Sequence, residues 1–270
     1  MSEKDIIANT ERPITINDIH SSLKKLGIKL GDIVLMHCSM STLGWICGGA
    51  QALLLAVMKA VGTEGTLVMP AHSGDWSDPI NWQHPPVPKE WVPIIRDNMP
   101  AYNKDMTPAR GIGKVAELFR TLPDVERSDH PLLSFSAWGS QKHKITCSHP
   151  LVPQLGMESP LGALYKLNAK ILFLGTDYET CTAFHLAETM LEETQRTKSG
   201  TSMMVNGNRE WVEFEDFEYN SDDFVNLGTD FENSNMVTIG KIGNAECRLF
   251  NMRDAVDFAQ NWLRINRKFP

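Results

Sequence analysis

The chain lacks most of the signatures by which an enzyme is recognised from a single sequence. It has no Gly-x-Ser-x-Gly elbow, no His-Glu-x-x-His helix and neither of the common glycine-rich phosphate fingerprints. A serine hydrolase or a metal-dependent hydrolase would have to assemble its site from dispersed residues. Cysteine is scarce: Cys38, Cys47, Cys147, Cys181 and Cys247 are odd in number and none forms a Cys-x-x-Cys pair. That argues against a disulfide framework and a structural zinc site, so reduced thiols and no metal are expected. Long apolar runs are missing too. The longest, 50–60 and 170–175, are too short to cross a bilayer, and the polar first residues show no signal-peptide core. A cytoplasmic protein with no membrane partner is expected. Basic residues are outnumbered, giving a formal net charge of −7. That sign disfavours nucleic acid and favours a cationic small molecule, although solubility alone accounts for such a charge.

What is present is ordinary globular material with a pronounced order. The 270 residues are 42% hydrophobic and 22% charged, enough to build a sizeable core. Apolar spacing predicts a helix over 14–26 with Thr15 at its start and Gly27 at its stop. A buried strand follows over 32–38, then a turn-rich stretch to Gly49, a helix over 50–61 and a second buried strand over 65–70. This is a strand–helix–strand unit with parallel strands. Further helices are expected over 113–122, 182–194 and 252–263, and a strand over 169–175. Strand-like alternation occupies 203–214 and 236–250, with a turn at 206–208. The reading is a mixed α/β fold in one domain, 1–270. Between 70 and 108 it is interrupted by a proline-rich excursion in which Trp76, Trp82, Trp91 and Tyr102 argue for order.

Three segments can carry chemistry. In His37-Cys38-Ser39-Met40-Ser41-Thr42-Leu43-Gly44, followed by Gly48-Gly49, small residues precede a helix whose free N–H groups suit an anion. The pattern is equally that of a plain strand-to-helix turn. In Arg127-Ser128-Asp129-His130-Pro131, with Ser134-Phe135-Ser136 beyond, guanidinium and hydroxyl groups could serve phosphate or tie a turn together. In Thr182-Ala183-Phe184-His185-Leu186-Ala187-Glu188, a three-residue spacing puts Glu188 on the His185 face. Such a pair makes a general base, or an ordinary helix-surface contact.

Taken in order, these blocks resemble the aminoglycoside 3-N-acetyltransferase family. Gly65-Thr66-Leu67-Val68-Met69-Pro70 and Ser159-Pro160-Leu161-Gly162 complete the set, and the resemblance runs from about Thr15 to Leu263. It implies a mixed sheet with flanking helices, distinct from the GNAT acetyltransferases. It also implies acetyl-CoA as co-substrate, an aminoglycoside or related polyamine as acceptor, and direct transfer with His185 as base supported by Glu188. By the same resemblance CoA would be held by Ser39, Ser41, Leu43, Gly44, Gly48 and Gly49, with Arg127, Ser128 and Ser136. Cys38 and Met40 depart from the serine or leucine expected in the first block. A thiol acyl-enzyme on Cys38 or Cys181 is the rival route. A CoA-binding protein without aminoglycoside activity and a metal-dependent hydrolase are the rival functions, and a homo-oligomer stays open.

The cationic acceptor is expected against the excursion, where Asp75 and Asp78 lie among the tryptophans. Acidic groups beside aromatic faces attract ammonium groups and cover sugar rings.

Overall fold

Two capping signals set the first elements. A computed structural model describes residues 2–269, beginning with a short helix α1 (Glu3–Ala8). Helix α2 (Ile16–Leu26) starts in a reciprocal capping box, Thr15 Oγ1 accepting from the Asp18 amide while the Asp18 carboxylate accepts from the Thr15 amide. It stops at Gly27, whose φ of 113° lies in the left-handed region that glycine tolerates. Strand β1 (Ile33–Cys38) follows, then the single turn α3 (Met40–Leu43), helix α4 (Gly49–Val61) and strand β2 (Thr66–Pro70). After the excursion, which holds α5 (Trp91–Asn98), come α6 (Gly113–Arg120), β3 (Glu126–Arg127), β4 (Phe135–Gly139), α7 (Lys142–Thr146) and α8 (Pro160–Lys166). Strand β5 (Lys170–Leu174) and helix α9 (Thr182–Thr189) precede a hairpin of β6 (Arg196–Val205) and β7 (Asn208–Phe217). Helix α10 (Phe224–Glu232), strands β8 (Val237–Ile242) and β9 (Ala245–Asn251) and helix α11 (Met252–Asn266) close the chain.

Seven strands form one mixed sheet in the order β3-β4-β2-β1-β5-β9-β8. Strand β1 runs parallel to β2 on one side and β5 on the other, and the remaining pairings are antiparallel. Alternate residues of each central strand feed two cores. Val34, Met36, Leu67, Met69, Leu172 and Leu174 pack toward α2, α4 and α6. Leu35, Val68, Ile171 and Phe173 pack toward α8, α9, α10 and α11. Burial on both faces explains why these strands read as continuous apolar runs, and a one-residue slip would exchange the two cores.

The expected helix over 182–194 ends at Thr189. The expected strands fall in two different sheets: 203–214, with its turn at Asn206-Gly207, lies in the separate hairpin β6–β7, and 236–250 in β8–β9 at the edge of the main sheet. Helix α10 sits between them, close against the Tyr178 ring at Gly228, where a Cβ would lie 1.9 Å from Tyr178 Cγ.

The excursion is ordered, and the hairpin is its partner. Tyr102 N donates to Ser202 O at 2.9 Å, Ser202 Oγ to Met99 O at 2.9 Å, and Arg209 to the carbonyls of Met99 and Arg96. Helix α5 forms despite Pro93 because that proline sits in the first turn, where its missing N–H has no intrahelical partner to lose. Buried Arg127 nails the root of the excursion to the sheet. Its guanidinium donates to Ser134 Oγ (2.9 Å), Lys104 O (3.1 Å), Thr107 O (2.5 Å), Ala71 O (2.6 Å) and Ser73 Oγ (2.7 Å). It also lies over the buried Tyr102 ring at 5.3 Å. Replacing Arg127 by Met should therefore lower the unfolding free energy by about 3 kcal/mol or more, since several buried acceptors lose a charged donor. Limited proteolysis of the variant should cut first within 71–107. Wild-type stability and an uncut excursion would refute this anchoring role.

Candidate active site

The parallel strands β1, β2 and β5 end on the same edge of the sheet, and a cleft of about 1140 Å³ opens there. Strand order reverses at this point, with β2 to one side of β1 and β5 to the other, which is where open α/β sheets bind ligands. Three helices present their N-termini to the cleft through Gly49 of α4, Gly113 of α6 and Thr182 of α9, and none of the three is capped by a side chain. Free backbone N–H groups and aligned dipoles make this edge attractive to anions.

Of the early turn, Ser39, Ser41, Gly44, Gly48 and Gly49 line the cleft. Gly48 and Gly49 take φ values of 88° and 58°, so a left-handed backbone delivers the start of α4 to the ligand space. Thr42 Oγ1 fixes the turn by donating to Ser39 O at 2.7 Å and Gly175 O at 2.9 Å. Leu43 is different from its expectation: it is fully buried in the core beneath α4 and touches no ligand space. The cleft is also lined by a wall absent from the sequence reading, Gly111 to Ala116, with exposed Lys114 at the start of α6. Its signal was the pair Gly111 and Gly113, both at positive φ, just before a helix.

The structure sets Arg127, Ser128 and Ser136 apart from the cleft. Every guanidinium nitrogen of Arg127 is engaged inside the protein, which leaves none for a phosphate. Buried Ser128 Oγ accepts from the Phe135 amide at 2.9 Å and bonds His149 Nδ1 at 2.9 Å, and buried Ser136 points into packing with no polar partner. Asp75 and Asp78 are likewise committed: Asp75 pairs with Arg110, and buried Asp78 accepts from Arg96 at 2.6 and 3.1 Å. The carboxylates that do line the cleft are Glu3 and Glu179.

His185 lies on the cleft wall at the second turn of α9. Its Nδ1 is 2.6 Å from Glu188 Oε2, and the Glu188 side chain has no solvent exposure. An ionised carboxylate only accepts, so Nδ1–H is the donor of this bond and Nε2 is the ring nitrogen it leaves unused. The ring is held by Tyr219 edge-on at 5.4 Å and by Phe224 at 4.8 Å. Tyr219 is itself fixed, donating to Asp216 Oδ2 at 3.0 Å and accepting from the Leu155 amide at 3.1 Å. Glu188 Oε1 accepts from the Asn220 amide at 3.2 Å and from Arg267 Nη1. Proximity of His185 to Glu188 was legible from spacing; Tyr219, Phe224 and Arg267 were not.

Other imidazoles sit around the cleft floor. Burial pushes His37 down to about 4, and burial together with neighbouring His37, His185 and His130 pushes His72 down to about 3. Behind them His130 and His149 stack at 4.3 Å; burial holds His130 down at about 4 and His149 well below its ordinary range. Cys38 reaches the cleft, but burial raises its thiol to about 12, and buried Cys181 is raised equally. Among the described residues no three His, Cys, Asp or Glu side chains converge as metal ligands, and no helix is long and apolar enough to cross a membrane.

The cleft sits on a fold shared with acetyltransferases. Residues 35–264 match the family model described as aminoglycoside 3-N-acetyltransferase, and the chain belongs to that family. It is 46% identical over 264 residues to the SPbeta prophage-derived aminoglycoside N(3')-acetyltransferase-like protein YokD of Bacillus subtilis, covering 97% of each chain. The crystal structure of YokD superposes with a TM-score of 0.96 at 45% identity, covering 97% of this chain and 98% of that one. AAC-IIIb in a binary complex with CoASH matches at TM-score 0.83 and 26% identity, over 96% of this chain and all of that one (100%). AAC-VIa bound to sisomicin matches at 0.84 and 28%, over 93% and 98%.

The four depressed imidazoles make stability depend on pH. Unfolded, they take protons near pH ~6.5; folded His37, His72 and His130 resist until about 4, 3 and 4. The unfolded chain therefore binds more protons in this window, and stability rises with pH. On acidification from neutrality each group should remove up to about 1.4 kcal/mol per pH unit. Urea midpoints that fall as pH drops from neutral toward 4 would bear this out, and flat midpoints would contradict it.

Proposed function

We propose that the protein transfers the acetyl group of acetyl-CoA directly to an amino group of an aminoglycoside or related polyamine, with His185 as general base. The observation that carries the reading is the one cleft imidazole with a carboxylate partner, His185, whose Nδ1–H is committed to buried Glu188 while Nε2 is left to a ligand space ringed by uncapped helix N-termini. The helix ends of α4 and α6, with Lys114, suit the anionic end of CoA. Exposed Glu179, which also lines the cleft, suits ammonium groups, in place of Asp75 and Asp78. The CoASH complex of AAC-IIIb and the sisomicin complex of AAC-VIa, both on this fold, support both ligand classes.

In the proposed step a neutral amine attacks the thioester carbonyl carbon. The C–N bond forms, and the proton leaving nitrogen passes to His185 Nε2. Backbone amides of the 39–44 turn stabilise the oxyanion. The C–S bond then breaks, and the CoA thiolate departs and takes up a proton. Glu188 stays ionised and stabilises the imidazolium that forms, as an orienting carboxylate does in other base-assisted transfers. The acyl-enzyme route is disfavoured because a thiol raised to about 12, as at Cys38 and Cys181, supplies almost no thiolate near neutral pH.

His185→Ala should lower turnover roughly 10²- to 10⁴-fold while leaving CoA affinity intact. The check is thiol release with an aminoglycoside and polyamine panel, paired with calorimetric CoA titration; near-normal turnover would remove His185 from the mechanism. Lys114→Gln should raise the acetyl-CoA KM roughly 2- to 5-fold, the scale of one exposed charge contact, and leave kcat in place. An unchanged KM would put the CoA anion elsewhere.

A further inference from the structure

We infer that Arg267, just past the end of α11, is a positioning residue for acetyl transfer: it neutralises buried Glu188, so that His185 can stand beside that carboxylate without itself being charged. The inference rests on the reading of His185 as the base. Arg267 lies outside the 35–264 stretch matched by the family model, and no segment of the sequence reading reached it.

Glu188 has no solvent exposure, and a buried charge needs a compensating charge or it takes up a proton. Two cations are within reach. If His185 alone supplied the balance it would have to remain an imidazolium, and an imidazolium has no lone pair for the acceptor's proton. Arginine stays charged under all working conditions, so it can carry the balance permanently.

The geometry assigns that task to Arg267. Its Nη1 meets Glu188 Oε1 on the oxygen opposite the one His185 uses, and its side chain is only 13% exposed. The rest of the fork is held: Nε donates to Asp223 Oδ2 at 2.7 Å, and Nη2 to Asp223 Oδ1 at 2.5 Å and Asn220 O at 2.8 Å. Asn220 returns its own amide to Glu188 Oε1. One phenylalanine, Phe224, lies under both Arg267, at 5.8 Å, and His185, at 4.8 Å. Helix α11 ends to make this possible, since Arg267 leaves the helix in extended geometry with its amide capped by Leu263 O.

The other groups facing His185 do not substitute for it. Tyr219, from the loop after β7, spends its phenol on Asp216 and Leu155. His72 and His37, across the cleft on the segments that end β2 and β1, are neutral. Glu179, on the turn before α9, is exposed; Asp223 is a second anion on the Arg267 fork, but its side chain is 25% exposed and water carries part of its balance, whereas Glu188 has no exposure and depends on the arginine.

The test compares Arg267→Gln, Arg267→Lys and His185→Ala in the full chain, by thiol release from acetyl-CoA across the neutral pH range and by CoA titration. Arg267→Gln should lose roughly 10- to 100-fold in kcat with an unchanged acetyl-CoA KM. Its pH–rate profile should have the acid limb displaced to higher pH, because the unbalanced carboxylate now holds a proton on His185. Arg267→Lys restores the charge and should restore the limb. A folded Arg267→Gln protein with the wild-type profile, or with a loss uniform across pH, would overturn the inference. Should that variant not fold, Arg267→Lys decides alone, and a displaced acid limb in it would overturn the charge-balance role. If His185→Ala keeps its turnover, the base reading fails; if it is inactive while Arg267→Gln is normal, only the Arg267 inference fails.

Discussion

A carboxylate with no access to water, Glu188, is the point on which the arrangement of the cleft edge around His185 depends. It gathers His185 from its own helix, a backbone amide from the loop after β7, and Arg267 from the end of the chain. Three segments far apart in sequence are brought together because a buried charge must be met from every open side. The second core beneath it, with Phe184, Phe224 and the face of α11 fully buried, keeps those segments in place. Orientation of the imidazole follows from that packing: the side of the ring carrying Nδ1 is fixed, so the other nitrogen is left to the cleft.

A second guanidinium does architectural work of a different kind. Arg127 bonds to residues on both sides of the excursion and to the sheet, and so converts a proline-rich segment with little regular structure into a fixed wall. The excursion then leads into Gly111 and Gly113, which bring the N-terminus of α6 to the cleft. Its acidic residues are used internally, Asp78 on Arg96 and Asp75 on Arg110, and the polarity of the ligand space is set by helix ends and by imidazoles kept neutral through burial.

Much of the central fold was legible because it obeys local rules. Strands β1, β2 and β5 are continuous apolar runs, α2 carries its capping box and its terminal glycine, and the spacing of His185 and Glu188 fixes their contact on any helix. The Arg127 block misled for a physical reason: a guanidinium that suits phosphate suits converging carbonyls equally, and only tertiary structure shows which are near. Asp78 is the same case with the sign reversed. Leu43 was carried along by its neighbours in a motif, although an aliphatic side chain in a half-buried turn turns to the core. Helix α10 went unread because its packing is against Tyr178, reached through Gly228, and Arg267 because nothing local distinguishes it from the lysine beside it.

Base catalysis by His185 requires the acceptor nitrogen to sit beside the imidazole when CoA is bound. A crystal structure of the ternary complex with CoA and an aminoglycoside measures this directly. The account predicts the reacting amine within about 2.6–3.2 Å of His185 Nε2, with the CoA sulfur beside the 39–44 turn and Glu188 still bridging His185 and Arg267. An amine beyond reach of the imidazole, or an acetyl group found on Cys38 or Cys181, would contradict it.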